Sequence, residues 1–196
     1  MKKVAVFASG SGSNFQAIAE AVKDGTLKAD IQLLVCDKPG AKVIERARKF
    51  NIPVFTFVPK TFASKEQFEK EIVKELEEHG VEFIVLAGYM RLIGNVLLDA
   101  YEGSIVNIHP SFLPAFPGKD AVGQALEANV AETGVTVHYV DSGMDTGPII
   151  EQVKIPVLPG DTRETLQERI QKAEHQLYPA VINKLLQKDT VGGIVQ

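Results

Sequence analysis

An amide and an imidazole lie two residues apart in the segment Ile105-Val-Asn-Ile-His-Pro110. Because side chains alternate along a β-strand, Asn107 and His109 are predicted to share one face of a strand that ends at the proline. An amide N–H can stabilise the oxyanion formed when a carbonyl carbon is attacked, and an imidazole can donate a proton or stabilise that charge. The pair predicts chemistry at a carbonyl group, although each residue alone is equally typical of a turn or a packed strand end.

A loop of turn-forming residues, Asp141-Ser-Gly-Met-Asp-Thr-Gly147, carries two carboxylates. Either aspartate could simply cap a turn, but loops held by a scaffold also concentrate binding residues. A carboxylate that reached His109 would stabilise its cationic form near neutral pH. No metal site is predicted, because the sequence has no second group of His and Cys at ligand spacing.

A glycine-rich segment, Gly10-Ser-Gly-Ser-Asn14, follows an apolar run and precedes residues with helical spacing. Its backbone can approach a ligand closely, and free N–H groups at the helix N-terminus attract an anion, so the segment predicts phosphate binding. The alternative is a tight turn in which Ser13 or Asn14 caps the helix. Phe15 replaces the third glycine of the dinucleotide fingerprint, yet Asp37 could still hold a ribose, which leaves an NAD-dependent dehydrogenase as a third interpretation.

Alternating strands and helices must position these residues. Short apolar runs predict strands at Val4–Ser9, Ile31–Cys36, Val54–Val58, Phe83–Ala87 and Ser104–Ile108. Apolar residues at helical spacing predict helices at Phe15–Lys23, Ala41–Phe50 and Phe62–His79, the last followed by Gly80 as a C-terminal cap. This alternation indicates βαβ units and a mostly parallel sheet.

The pattern changes after residue 133. Gly134–Val140 and Pro148–Ile155 are predicted to be antiparallel strands joined by the aspartate loop, and Thr162–Gln187 to be one or two helices broken near Pro179. Val191–Gln196 has weak strand character.

The predicted fold class is α/β: a Rossmann-like, mostly parallel twisted sheet with helices on both faces and antiparallel C-terminal strands. We expect one domain over residues 1–196, with a phosphate-binding half at about 1–100 and a catalytic half at about 85–190.

Composition excludes several classes of protein. The 196 residues include 21 Lys+Arg and 25 Asp+Glu, and without a basic cluster this charge of -4 argues against a general nucleic-acid binder. A single cysteine, Cys36, excludes a disulfide-stapled scaffold. The longest uncharged apolar stretch, Phe83–Met90, is too short to cross a bilayer. The apolar run behind the basic Met1–Lys3 is short and ends in glycines, so we interpret it as a first β-strand and not as part of a signal peptide. We therefore expect a cytoplasmic protein.

Four motifs occur in a fixed order along the chain: Ala8–Asn14, Leu86–Arg91, Asn107–Pro114 and Gly134–Pro148. Together they resemble the family of phosphoribosylglycinamide formyltransferases, folate-dependent enzymes of purine biosynthesis. The resemblance extends from Val4 to about Leu186 and implies the formyltransferase fold. It also implies transfer of a formyl group from 10-formyltetrahydrofolate to the amine of glycinamide ribonucleotide, without a metal.

The resemblance also implies roles for individual residues. Asn107 would bind the formyl oxygen, His109 would stabilise the oxyanion and assist proton transfer, and Asp145 would keep His109 cationic and order a proton-relaying water. His138 would support these three residues.

The resemblance also implies binding residues, both within these motifs and outside them. The substrate phosphate is expected on Gly12, Ser13 and Asn14, and the substrate ribose near Glu174. The residues expected to bind folate are Lys65, Met90, Arg91, Leu92, Ile93, Asn107, Val140 and Asp141. Because both ligands are anions and the chain is acidic, their attraction must be local, and we expect the Gly12–Asn14 amides and Arg91 to supply it.

Related activities are distinguished by length and charge. Methionyl-tRNA formyltransferases carry a further nucleic-acid-binding domain, and formyltetrahydrofolate deformylases carry a further N-terminal domain and a His where Pro110 stands. We expect neither domain here, nor a nucleic-acid or membrane partner, and we expect a monomer or a homodimer. The alternatives are a non-catalytic nucleotide-binding module and a deformylase-like enzyme.

Overall fold

The computed structural model describes residues 1–191 of the chain. Its strands are β1 (Lys3–Ala8), β2 (Asp30–Cys36), β3 (Val54–Thr56), β4 (Phe83–Leu86), β5 (Ile105–His109), β6 (Glu132–Tyr139) and β7 (Ile149–Pro156). Its α-helices are α1 (Ser13–Asp24), α2 (Lys42–Lys49), α3 (Lys65–Glu78), α4 (Asn95–Ala100), α5 (Ala121–Glu127) and α6 (Arg163–Val191).

The strands form one sheet in the order β3-β2-β1-β4-β5-β6-β7. Strands β1 to β5 pair in parallel, whereas β6 pairs antiparallel with both β5 and β7. The predicted α/β class and the antiparallel C-terminal strands are confirmed. The chain moves outward from β1 to β3 on one side and from β4 to β7 on the other, so the strand order reverses between β1 and β4.

Alternation along β1 divides the core between the two faces of the sheet. Val4, Val6 and Ala8 pack with apolar residues of α1, α2 and α6, while Ala5 and Phe7 pack with those of α3 and α4. Each strand in the centre of the sheet is therefore covered on both faces, which explains the uninterrupted apolar runs in the sequence.

Several helices and strands differ locally from the sequence-based prediction. The sequence did not predict α4 or α5, because helices of 6 and 7 residues are too short to give a clear helical period. The helix expected to start at Phe62 instead follows a 3-10 turn at Pro59–Thr61 and begins after Ser64, whose hydroxyl accepts a hydrogen bond from the N–H of Gln67. The third strand ends at Thr56 rather than Val58.

The C-terminal helix passes through Pro179 without interruption, so the predicted break there is wrong. Tyr178, Val181 and Ile182 are fully buried around the proline, and their packing holds both halves of the helix against the sheet. Val191 ends this helix, and the remainder of the segment with predicted strand character lies outside the described residues. In residues 1–191, no helix combines the length and apolarity that crossing a membrane requires.

Candidate active site

A cleft of about 630 Å³ opens at the carboxyl ends of the parallel strands, where the strand order reverses. This is the position at which open α/β sheets bind ligands. Most of the predicted site residues line it: Gly12, Ser13, Asn14, Met90, Arg91, Leu92, Ile93, Asn107, His109, His138, Val140, Asp141, Asp145 and Glu174. Lys65 does not.

His109 is buried at the end of β5 with both ring nitrogens facing polar groups. Nε2 lies 2.9 Å from the carbonyl oxygen of Phe116. Since a carbonyl oxygen only accepts, Nε2 carries the hydrogen. Nδ1 lies 3.4 Å from Oδ2 of Asp145, so a second proton on the ring would sit between the imidazole and a carboxylate. This arrangement places the Nδ1 edge of the imidazole and the carboxylate side by side at the cleft.

His138 orients the amide of Asn107 from the neighbouring strand, because the two residues pair directly across β5 and β6. Its Nδ1 donates to the carbonyl of Tyr139 at 2.7 Å, which leaves Nε2 of the neutral ring as an acceptor. Nδ2 of Asn107 lies 3.4 Å from this Nε2, and Oδ1 of Asp145 lies 3.7 Å from it. One N–H of the Asn107 amide is thus held by His138, and the other stays available to a ligand.

Asp145 lies between the two imidazoles, in the loop that joins β6 to β7. Burial acts to raise its pKa, but the contacts with His138, the N–H of Gly118 and His109 outweigh burial and lower the pKa below the usual value for aspartate. The Gly118 N–H donates to Oδ2 at 2.8 Å. The carboxylate is therefore ionised throughout the neutral range and faces both rings.

The same loop is closed by Asp141, whose Oδ1 accepts hydrogen bonds from the Gly143 N–H at 2.9 Å and from the Thr146 hydroxyl at 2.6 Å. These bonds, led by that of Thr146, lower the pKa of Asp141. Asp141 both lines the cleft and organises the turn that presents Asp145. Capping a turn and binding a ligand are therefore compatible roles for this residue.

The glycine segment forms a cradle of amides at the start of α1. Gly12 precedes the helix with φ of 78°, a left-handed conformation suited to glycine, and no side chain caps the helix. Within the described part of the chain, the N–H groups of Gly12, Ser13 and Asn14 have no acceptor. The alternative interpretation, a cap by Ser13 or Asn14, is not what the structure shows, and the free donors suit an anion.

Glu174 extends from α6 to the same end of the cleft and is only 7% exposed. Burial raises its pKa to about 7, against the opposing effect of Asn14, whose Nδ2 donates to Oε2 at 3.2 Å. Oδ1 of Asn14 is buried and has no partner in residues 1–191. A ligand bound between the amide cradle and Glu174 therefore meets polar groups that the protein itself leaves unsatisfied.

Residues 90–93 form a mostly apolar wall of the cleft, with the side chain of Met90 exposed and that of Ile93 buried. Arg91 donates from Nε to Oδ2 of Asp37 at 2.8 Å. Asp37 is buried and engaged by this cation, which contradicts its assignment as the ribose-binding acid of a dehydrogenase.

The cation that we expected to attract anionic ligands is thus already paired. Lys38 and Lys119 also line the cleft and have no ion pair within residues 1–191. The sequence analysis missed both lysines, because they lie in loops without periodicity. The signal in the sequence was their position: Lys38 closely follows the second strand, and Lys119 lies in the loop after the His-Pro segment.

Lys65 is the first residue of α3 and lies outside the cleft lining. Its Cε would be 3.1 Å from a Cβ added at Gly94, beside the buried carboxylate of Glu69. Glu69 accepts a hydrogen bond from the Gly94 N–H at 2.8 Å and so joins α3 to the end of the apolar wall. In the part of the chain that the structure describes, no three His, Cys, Asp or Glu side chains are grouped to hold a metal ion.

Comparison with known proteins agrees with this geometry. Residues 2–182 match the family model described as formyl transferase. The chain belongs to the formyl transferase family. A phosphoribosylglycinamide formyltransferase of Bacillus subtilis (strain 168) is 61% identical over 186 residues, which are 95% of this chain and 95% of that protein.

Two solved structures of family members are similar over nearly their whole length. Glycinamide ribonucleotide transformylase 1 from Geobacillus kaustophilus has a TM-score of 0.93 and 64% identity, covering 95% of this chain and 99% of that one. Phosphoribosylglycinamide formyltransferase from Bacillus halodurans has a TM-score of 0.93 and 58% identity, covering 96% of this chain and 97% of that one.

Proposed function

We propose that this formyl transferase moves the formyl group of 10-formyltetrahydrofolate to the amine of glycinamide ribonucleotide, a step of purine biosynthesis. The observation that carries the proposal is the convergence of Asn107, His109 and Asp145 in one cleft, with an amide cradle at one end and an apolar wall along its side. The cradle suits the phosphate of the ribonucleotide, Glu174 its ribose, and residues 90–93 with Val140 and Asp141 the folate.

The amine nitrogen attacks the formyl carbon, and the carbonyl oxygen takes up the negative charge. The free N–H of Asn107 stabilises this oxyanion, and the His109 imidazole, whose Nδ1 faces Asp145, assists the proton transfer. The bond from carbon to the folate nitrogen then breaks, and a proton from the attacking amine ends on that nitrogen. Asp145 faces Nδ1 of His109 and orders a water that carries the proton. His138 keeps the Asn107 amide in place.

An absorbance assay with a 10-formyl folate and glycinamide ribonucleotide tests the proposal. We expect formyl transfer by the unaltered protein and a loss of about 100-fold or more in kcat for His109→Ala. His79→Ala is the matched control, since His79 ends α3 and its Nδ1 contacts the Glu75 carbonyl at 2.8 Å. Its kcat should be unchanged.

Other outcomes would replace the proposal. Consumption of the formyl folate without ribonucleotide would indicate a deformylase. Binding of both ligands in a calorimeter without any transfer would indicate a non-catalytic module. We expect the active protein to work in the cytoplasm as a monomer or homodimer, with no nucleic-acid or membrane partner.

A further inference from the structure

The amide cradle is held from behind by α2, a helix that contributes no residue to the cleft lining. The N–H of Val43 donates to the Gly10 carbonyl at 3.1 Å, and Nε of Arg46 donates to the Ser11 carbonyl at 2.8 Å. The side chain of Val43 fills the space beside Gly12, where an added Cβ would be 2.5 Å from Cγ2. Helix α2 therefore fixes the backbone on the side of the cradle remote from the ligand.

The contact between Arg46 and the Ser11 carbonyl also sets the direction of the Gly12 N–H. In a planar trans peptide the C=O and the following N–H point in opposite directions. Because the Ser11 carbonyl points at Arg46, the N–H of Gly12 points away from α2. That N–H has no acceptor within residues 1–191, and Gly12 lines the cleft.

Arg46 also brings a positive charge that the surrounding protein does not neutralise. Its Nη1 lies 3.3 Å from the amide oxygen of Gln16, so both of its acceptors are uncharged. Among the described residues, no carboxylate lies within ion-pair distance of this guanidinium. On a chain with a net charge of -4, this cation adds to the local attraction of the cradle for a dianion.

We propose that Arg46 is a positioning residue for the substrate phosphate. It holds the Ser11 carbonyl so that the Gly12 amide faces the phosphate, and its charge lies behind the loop. This inference rests on the proposed function, which puts the phosphate on Gly12–Asn14, and it assigns a role to a residue outside the cleft.

Arg46→Ala and Arg48→Ala form a matched pair, because Arg48 is an exposed residue of the same helix and carries the same charge. For Arg46→Ala we expect KM for glycinamide ribonucleotide to rise about 10-fold, as for loss of a hydrogen bond to a charged group. The kcat at saturation and KM for the formyl folate should stay within about 2-fold. Arg48→Ala should match the unaltered protein in all three.

The dephosphorylated substrate separates positioning from general damage. In Arg46→Ala, kcat/KM for glycinamide ribonucleoside should be unchanged while that for the ribonucleotide falls. An equal fall for both would overturn the proposal, as would no fall for either. Arg46→Lys should recover only part of the loss, because an ammonium cannot reproduce the planar fork that reaches two acceptors. Full recovery would overturn the orienting role.

Calorimetric titration with ribose 5-phosphate tests the inference without catalysis. We expect binding by Arg46→Ala to be about 10-fold weaker than by Arg48→Ala, with equal melting temperatures showing that both are folded. Equal affinities would overturn the inference. If the unaltered protein binds ribose 5-phosphate with this Arg46 dependence but transfers no formyl group, the proposed function fails while the role of Arg46 stands.

Discussion

Two histidines share one carboxylate at the site, and backbone carbonyls give them different roles. The carbonyl of Phe116 takes the Nε2 hydrogen of His109, while that of Tyr139 takes the Nδ1 hydrogen of His138. His109 is therefore left with Nδ1 toward Asp145. His138 keeps an acceptor toward Asn107 in its neutral form. A single carboxylate thus contacts both imidazoles, one of which also holds the amide of Asn107.

Asp145→Asn tests this division at the level of one atom. The amide can still accept from the Gly118 N–H, but it no longer presents a negative charge to Nδ1 of His109, so we expect kcat to fall about 100-fold or more. Steady-state kinetics would show it, and a kcat within 3-fold of the unaltered protein would contradict the role.

The pH profile gives a second measure of Asp145. Its lowered pKa keeps the carboxylate ionised above the usual aspartate range, so its stabilising contribution is lost only as the pH falls through that lowered value. An activity profile between about pH 5 and 9 should therefore show no step from Asp145. A loss of activity on acidification from neutral pH to about pH 5 that is absent in Asp145→Asn would contradict the assignment.

At the scale of elements, the apolar wall is fixed by three side chains from separate parts of the fold. The Ser9 hydroxyl accepts from the Met90 N–H at 2.9 Å, Asp37 pairs with Arg91, and Glu69 accepts from the Gly94 N–H. Residues 88–94 have no regular secondary structure of their own, so these bonds decide where the wall lies.

Glu69→Ala removes one of these anchors and leaves the first turn of α4 without its carboxylate. We expect KM for the formyl folate to rise several-fold, about what a lost hydrogen bond to a charged group gives, with KM for the ribonucleotide unchanged. Glu71→Ala, an exposed residue of the same helix, is the control. Equal effects on both substrates would show that Glu69 supports the fold rather than the wall.

The loop that carries Asp145 depends on a glycine, because the backbone leaves no room for a side chain at Gly147. A Cβ at Gly147 would overlap the carbonyl oxygen of Tyr139, so Gly147→Ala must displace the loop that carries Asp145. We expect kcat to fall at least 10-fold through Asp145, by analogy with misplaced catalytic groups. Ser142→Ala, in the same loop, should retain full activity, and an active Gly147→Ala protein would contradict the required geometry.

At the scale of the whole molecule, α6 joins the site to the sheet. Glu174 lies in the cleft, and one turn later the buried Tyr178 donates its hydroxyl to the Leu86 carbonyl at 2.6 Å. The raised pKa of Glu174 means that folding favours its neutral form. Stability from this group is present below the unfolded pKa of about 4.5 and is lost as the pH rises through about 7.

Glu174→Gln should therefore lose less stability than the unaltered protein between pH 5 and pH 8. The difference should reach roughly 3 kcal/mol at the alkaline end, since each pKa unit corresponds to about 1.4 kcal/mol. Denaturant unfolding at both pH values measures it, with Glu168→Gln, exposed on the same helix, as control. A pH dependence identical in all three proteins would show that burial of Glu174 carries no such cost.

The sequence by itself determined the parallel part of the fold and the chemistry of the site. Central strands are buried on both faces, so their apolar runs are unambiguous, and Asn107 and His109 share a face because strand alternation is local. The motifs also brought Asp145, His138 and Glu174 into the prediction through resemblance. Short helices such as α4 were not predicted, since they have too few residues to show a helical period.

Only the tertiary structure decided which hydrogen-bond or ion-pair partner each polar side chain of the site has. The pairing of Asp37 with Arg91, the anchoring of Gly94 by Glu69 and the Arg46 contact behind the amide cradle all join residues distant in sequence. Such contacts leave no periodic signal, because they depend on where loops converge after the sheet has formed. The continuous helix through Pro179 has the same origin: burial of its neighbours outweighs the local preference of proline to end a helix.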